Sequence, residues 1–200
     1  LELAPGSSGV LAAAAGFAST LGRFDEAIAL QKRAQEIDPL SNSGWYNLAF
    51  RYLAAGRATE AEATLQRLLA VNPEEADAHS LLGDAYLVEG RAEAALAEYE
   101  KGDPSGRLAG RAMADHALGR EDASKAALQE LLASYADQAR LIATVYTYRG
   151  EKDEAFAWLE RGYAKRDSDL VYLNPTYFLT PLHRDPRWGA LLRKMGLPPA

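Results

Sequence analysis

The sequence predicts an all-α protein, a solenoid of helix pairs closed by a capping helix. Three observations lead there. Pro5, Pro39 and Pro73 stand 34 residues apart, as do the Gly-Arg pairs beginning at Gly22, Gly56 and Gly90. Ala27, Ala61 and Ala95 keep the same interval, and so do Leu3, Ile37 and Val71. Alanine makes up about a fifth of the 200 residues, well above ordinary usage, and it combines the best helix propensity with a small packing radius.

Composition narrows the function classes. With no cysteine, disulfide scaffolds, thiolate zinc sites, iron–sulfur clusters and cysteine nucleophiles are excluded together. The net charge of −6 disfavours nucleic acid as a partner of this segment, because such binding depends on dense Lys and Arg. The longest unbroken apolar run, residues 10–15, is far below the ~18 residues a membrane span needs, so no membrane partner is expected. No basic segment precedes it as in a signal peptide. The compartment stays open: cytoplasmic is the expectation, periplasmic if a longer parent chain carries an upstream membrane segment.

Taken in order, residues 1–7 line up with the end of the next unit (Glu36, Ile37, Asp38, Pro39) and read as the tail of a truncated preceding repeat. The first full unit spans 8–41. Its first helix is built on alanine where larger residues stand elsewhere, and it ends at Gly22. The second unit, 42–75, carries the stripe Trp45, Leu48, Ala49 and Tyr52, a stop at Gly56, then Ala61, Leu65, Leu68 and Leu69 before Pro73. The third, 76–104, repeats this with Leu82, Gly83, Tyr86, Gly90, Ala95 and Tyr99, and with His79 in the tryptophan column. Small residues let the paired helices touch, and large ones from a neighbour fill the space left.

These residues resemble the tetratricopeptide repeat: W-x2-L-G-x2-Y, then G, A-x3-F and P. The resemblance implies a right-handed α-solenoid of such pairs (an α-α superhelix). Two degenerate units follow in 105–166. The first keeps Gly119-Arg120, and the second keeps Ile142, Ala143, Tyr146, Gly150, Ala155 and Leu159. Arg111 and Asp115 stand where leucine and tyrosine belong, and their i,i+4 spacing predicts a pair on their own helix.

Residues 167–200 differ in kind. Pro175 and Pro181 prevent one continuous helix, and Asp185-Pro186 then supplies an N-cap and N1 proline for a capping helix. Its stripe of Trp188, Leu191, Leu192 and Met195 is expected to dock on the last repeat. The tail is similar to those that follow tetratricopeptide arrays in bacterial multidomain regulators of the adenylate/guanylate cyclase, winged-helix and serine/threonine kinase types. Ala155-Phe-Ala-Trp-Leu-Glu-Arg-Gly-Tyr, Pro181-Leu182, Asp185-Pro-Arg-Trp and Leu191-Leu-Arg-Lys-Met-Gly-Leu-Pro carry that similarity.

No catalytic constellation emerges. His79, His116 and His183 lie on distant segments outside any ligand spacing, and His79 reads as a packing residue. Gly6-Ser-Ser-Gly9 lacks the Lys-Ser/Thr of a phosphate loop. Carboxylate pairs such as Asp25-Glu26 and Glu121-Asp122 complement helix N-termini. The chain therefore reads as a non-enzyme that needs no cofactor or metal.

In the resembling family, ligands bind the concave surface lined by first helices. That assigns Tyr46, Asn47, Phe50 and Leu53 in unit two and Asp84, Leu87 and Val88 in unit three. Arg140, Thr144 and Tyr148 follow in unit five. A known variant clamps a peptide's terminal carboxylate. Asn47 matches its asparagine, but Ala12, Gly16, Asp77 and Leu81 replace the other clamp residues, so that clamp is absent. The expected partner is a protein or peptide, with Tyr46, Phe50 and Leu53 as the centre of an apolar patch. The alternative is that these residues only pack against neighbouring helices. Self-association is a second reading. A small-molecule site between array and tail, lined by Tyr172, Tyr177, Phe178 and Trp188, is a third.

Overall fold

The computed structural model describes residues 6–197. Residues 1–5, where the tail of a preceding repeat is expected, lie outside it, as do residues 198–200. Among the described residues the chain forms eleven α-helices and two 3₁₀ turns, with no strand. Five antiparallel pairs follow one another: α1 (Ser8–Thr20) with α2 (Phe24–Ile37), α3 (Asn42–Ala54) with α4 (Ala58–Val71), α5 (Ala76–Val88) with α6 (Ala92–Tyr99), α7 (Pro104–Ala117) with α8 (Glu121–Ser134), and α9 (Ala139–Tyr148) with α10 (Lys152–Ala164). The 3₁₀ turns Ser168–Tyr172 and Tyr177–Leu182 lead to the last helix, α11 (Pro186–Met195).

One device ends every first helix. Gly22, Gly56, Gly90, Gly119 and Gly150 all have φ between 71° and 79°, which only glycine adopts without steric cost. In each case the next residue's N–H returns to the helix, as Arg57 does to the Tyr52 carbonyl at 2.8 Å and Arg120 to Asp115 at 2.8 Å. This is the six-to-one bond of a Schellman cap, and it turns the chain straight into the second helix. Seven residues before and five after that glycine lie the columns where the helices touch. Ala15, Ala49, Ala112 and Ala143 fill one, and Ala27, Ala61, Ala95, Ser124 and Ala155 fill the other, all fully buried.

The third pair carries the tightest contact. The Tyr99 ring lies between Gly83 of α5 and Gly110 of α7, and a Cβ built on Gly83 would lie 2.7 Å from its ring. The Trp45 and His79 column is preserved in function as well as place. Trp45 Nε1 donates to the Pro39 carbonyl at 3.0 Å, and His79 Nε2 lies 2.9 Å from the Pro73 carbonyl, one period later.

Unit four departs from expectation. Arg111 does not pair with Asp115 but lies 3.4 Å from Glu100 on the preceding pair, while Asp115 faces Arg120 at 3.5 Å. The reason is columnar. In units two and three the arginine after the αL glycine covers the residue four before that glycine: Arg57 covers Tyr52 at 5.1 Å and Arg91 covers Tyr86 at 4.0 Å. Asp115 occupies that aromatic column, so an ion pair between the buried Asp115 and the half-exposed Arg120 replaces the stack.

The capping helix docks as its stripe predicts: Trp188, Leu191 and Leu192 are buried with Phe156 and Leu159 of α10. The segment before it does more. Residues 168–182 run back over the concave side as a strap, and the Asn174 amide donates to the Thr20 carbonyl of α1 at 3.0 Å.

Candidate functional site

The strap divides the concave groove. Its Tyr177 packs on Phe50 of α3 with ring centroids 6.2 Å apart, and Phe178 meets Tyr148 of α9 edge-on at 5.4 Å. These two rings plug the middle. Toward α1 lies a chamber of about 720 Å³ between α1, α3 and the first 3₁₀ turn. Toward α9 lies one of about 730 Å³. Beneath the plug is a central cavity of about 240 Å³.

The central cavity is polar and its acids are committed. Asp84 accepts hydrogen bonds from the Tyr99 hydroxyl at 2.6 Å and, on its other oxygen, from the Tyr177 hydroxyl of the strap. Burial raises the Asp84 carboxyl to about 6 against the pull of both tyrosine donors. Burial and the adjacent Asp84 push both tyrosines well above their ordinary value, so each remains a protonated donor. Asp103 caps α7 through the N–H groups of Ser105 and Gly106 and also accepts from Ser80 at 3.1 Å. Every oxygen of Asp84 and Asp103 thus accepts a hydrogen bond from the protein, and the bond from Tyr177 makes this cavity a fastening point for the strap.

The predicted groove residues distribute among the three spaces. Tyr46, Phe50, Asp84, Arg140 and Thr144 meet at the central cavity. Tyr46, Asn47, Phe50 and Arg140 also line the α1-side chamber, and Leu87, Val88 and Tyr148 line the α9-side chamber. Leu53 is not on the groove surface: it is 2% exposed and packed in the core with Leu48 and Leu65. Leu87 touches a chamber but is itself a core residue. The aromatic set Tyr172, Tyr177, Phe178 and Trp188 does not gather in one place. Trp188 is buried in the cap, stacked on His183 at 4.6 Å, because its helix turns it away from the groove.

Sequence reasoning passed over two apolar residues of the α1-side chamber, Phe17 and Val171, and gave a third, Tyr172, to a small-molecule site with Trp188 instead. Phe17, Val171 and Tyr172 are exposed large apolar side chains, Phe17 at 68%, and all three rim this space. Ala12, Ala13 and Gly16 form its floor, and their small size opens it. Arg51 was missed as well, since a lone arginine on a helix reads as a solvated charge. It is 5% exposed and lines the chamber.

Among the described residues no acidic or histidine cluster is placed to hold a metal ion, and no helix is long and apolar enough to cross a membrane. Family models described as tetratricopeptide repeat match residues 10–39 and 46–106. This chain contains tetratricopeptide repeats. Such repeats are typically non-catalytic scaffolds that mediate protein–protein interactions. No curated protein matches the chain.

Solved tetratricopeptide structures share the fold. TTC0263, a thermophilic TPR protein of Thermus thermophilus, is 23% identical, with a TM-score of 0.65 over 86% of this chain and 98% of its own. A tetratricopeptide repeat protein from Parabacteroides merdae is 19% identical, with a TM-score of 0.59 over 94% of this chain and 77% of its own. YrrB, a TPR protein with an unusual peptide-binding site, is 16% identical, with a TM-score of 0.50 over 82% of this chain and 89% of its own.

Proposed function

We propose that this tetratricopeptide array is a non-catalytic interaction module that receives a segment of a partner protein in the chamber between α1, α3 and the strap. One observation carries the reading: Phe17, Val171 and Tyr172 stand exposed around a single cavity of about 720 Å³ on the concave side. Exposed apolar side chains gathered on one rim mark a docking surface more often than scattered ones do. The neighbouring fold of YrrB, with its peptide-binding site, supports the class of ligand. We place the repeat units at 8–41, 42–75, 76–104 and, in degenerate form, 105–166, with 167–200 as strap and cap. The tail's similarity to those of bacterial multidomain regulators supports a role as the sensor or scaffold arm of such a protein.

Peptides selected on this chain from a random display library provide the test. Phe17→Glu places a charge on the rim without touching the core, and it is expected to weaken their binding by about tenfold or more. Val88→Glu, in the other chamber, is expected to leave binding unchanged, with helical circular dichroism intact in both. Selected peptides that bind Phe17→Glu as well as the parent chain would sink the reading.

A further inference from the structure

Arg51 lies one turn beyond Asn47 on α3. Its Nη1 donates to the Asn47 carbonyl at 2.7 Å and its Nη2 reaches the Ala12 carbonyl at 3.5 Å, while Nε has no hydrogen-bond partner. Among the described residues no carboxylate lies within salt-bridge distance of it, and the one ionisable group that acts on it is the Tyr172 hydroxyl. Arg149 shows the usual arrangement: its side chain is equally buried, but Glu151 and Glu121 lie 2.7 and 3.7 Å away. A buried guanidinium is costly unless paired. Burial lowers Arg51 to about 10, so it still carries its charge at neutral pH.

Two more donors share the chamber. Arg140 Nε and Ser19 Oγ are buried without partners, and both residues line the same cavity as Arg51. The strap shows what this wall accepts. Asp169 lies 3.6 Å from Arg140 Nη2, and the apolar Val171 and Tyr172 follow directly along the same rim.

We infer that Arg51 binds a side-chain carboxylate of the partner segment, set beside an aliphatic or aromatic residue that packs on Phe17 and Tyr172. The inference rests on the docking reading above and names the chemistry of its ligand. A terminal carboxylate held by the family's clamp is not the reading, because Ala12, Gly16, Asp77 and Leu81 replace the clamp's other residues. The guanidinium fork is fixed by its own main-chain bonds, so an incoming carboxylate meets a donor already oriented and partly desolvated.

The full chain is titrated with acetyl-Leu-Asp-Phe-amide and with its Asn counterpart, both blocked so that the side chain holds the only charge. The Asp peptide is expected to bind about tenfold tighter and to shift the Arg51 Nε–H resonance. Arg51→Met is expected to abolish the preference for Asp, and Arg140→Gln to reduce it. Should Arg51→Met fail to fold, the parent resonance decides: an Asp peptide that binds without moving it overturns the inference. Equal binding of both peptides overturns it too, yet leaves the apolar docking reading standing. Binding of neither removes both. Binding of free 3-phenylpropionate without either peptide overturns it in favour of a small-molecule site.

Discussion

The Asn174 amide donates to the Thr20 carbonyl at 3.0 Å, across 154 positions of sequence, and so ties the strap to the first helix pair. Thr20 sits in the last turn of α1, where carbonyls lack partners within the helix. Asn174 is buried, so removing its amide leaves that carbonyl without a direct replacement. Asn174→Ala is expected to cost about 1–2 kcal/mol. Hydrogen exchange should show faster exchange at amides 173–182 and little change in α9 and α10. Unchanged protection of the strap would count against this contact as its anchor.

Asp84 makes the strap's fastening pH-dependent. Its folded value of about 6 lies above the ordinary 3.8, so between these values the folded chain holds more protons than the unfolded one. The contribution to stability is therefore full below about 3.8 and is lost as pH rises through about 6. Asp84→Asn cannot titrate and lacks this loss. The stability difference between parent and variant is expected to move in favour of the variant by about 2 kcal/mol over that window, with some discount for the residual solvent contact of the carboxylate. Chemical denaturation at matched pH values measures it, and a pH-independent difference would contradict the assignment.

Tyr99 depends on two glycines. A methyl at Gly83 would lie 2.7 Å from its ring, and the ring cannot retreat because Gly110 backs its other face. Gly83→Ala is expected to destabilise by about 2 kcal/mol despite the better helix propensity of alanine. Gly9, with nothing within 4 Å of a built Cβ, provides the control in which the same change is neutral or stabilising. The denaturation midpoints of the two variants should move apart.

Arg166 closes α10 with φ 57°, and among the described residues it alone is a non-glycine at positive φ. Asp167 N–H reaches the Gly162 carbonyl at 3.0 Å, the same six-to-one cap that glycine forms elsewhere in the chain. Arg166→Gly is expected to relieve that strain and stabilise by about 0.5–1 kcal/mol, less the entropy glycine adds to the unfolded chain. A raised melting temperature checks it.

The helix pairs were legible because their causes are local. An αL glycine, a small residue seven before it and another five after it declare a pair within one period, and Gly22, Gly56 and Gly90 all behave as their spacing implies. The helix pairs of residues 105–166 were legible by the same columns, although Asp115 found Arg120 instead of Arg111, since a column crosses the turn and an i,i+4 rule does not. The groove was legible only in part. Tyr46, Asn47 and Phe50 line it, whereas Leu53 points into the core, because one helix face narrows where its neighbour packs closely.

The strap lay beyond sequence reasoning. Pro175 and Pro181 announce a break in helix, but nothing local says that Tyr177 will reach Asp84 or that Asn174 will reach Thr20. Arg51 is the same case, a charge whose burial appears only when α1 and the strap are laid over it. The periodic sequence by itself determined the helix pairs, their caps and their contact columns, since each depends on neighbours within about one repeat. The course of the strap, the division of the groove and the burial of Arg51 were decided by tertiary structure, because the curvature summed over five pairs sets which distant residues meet.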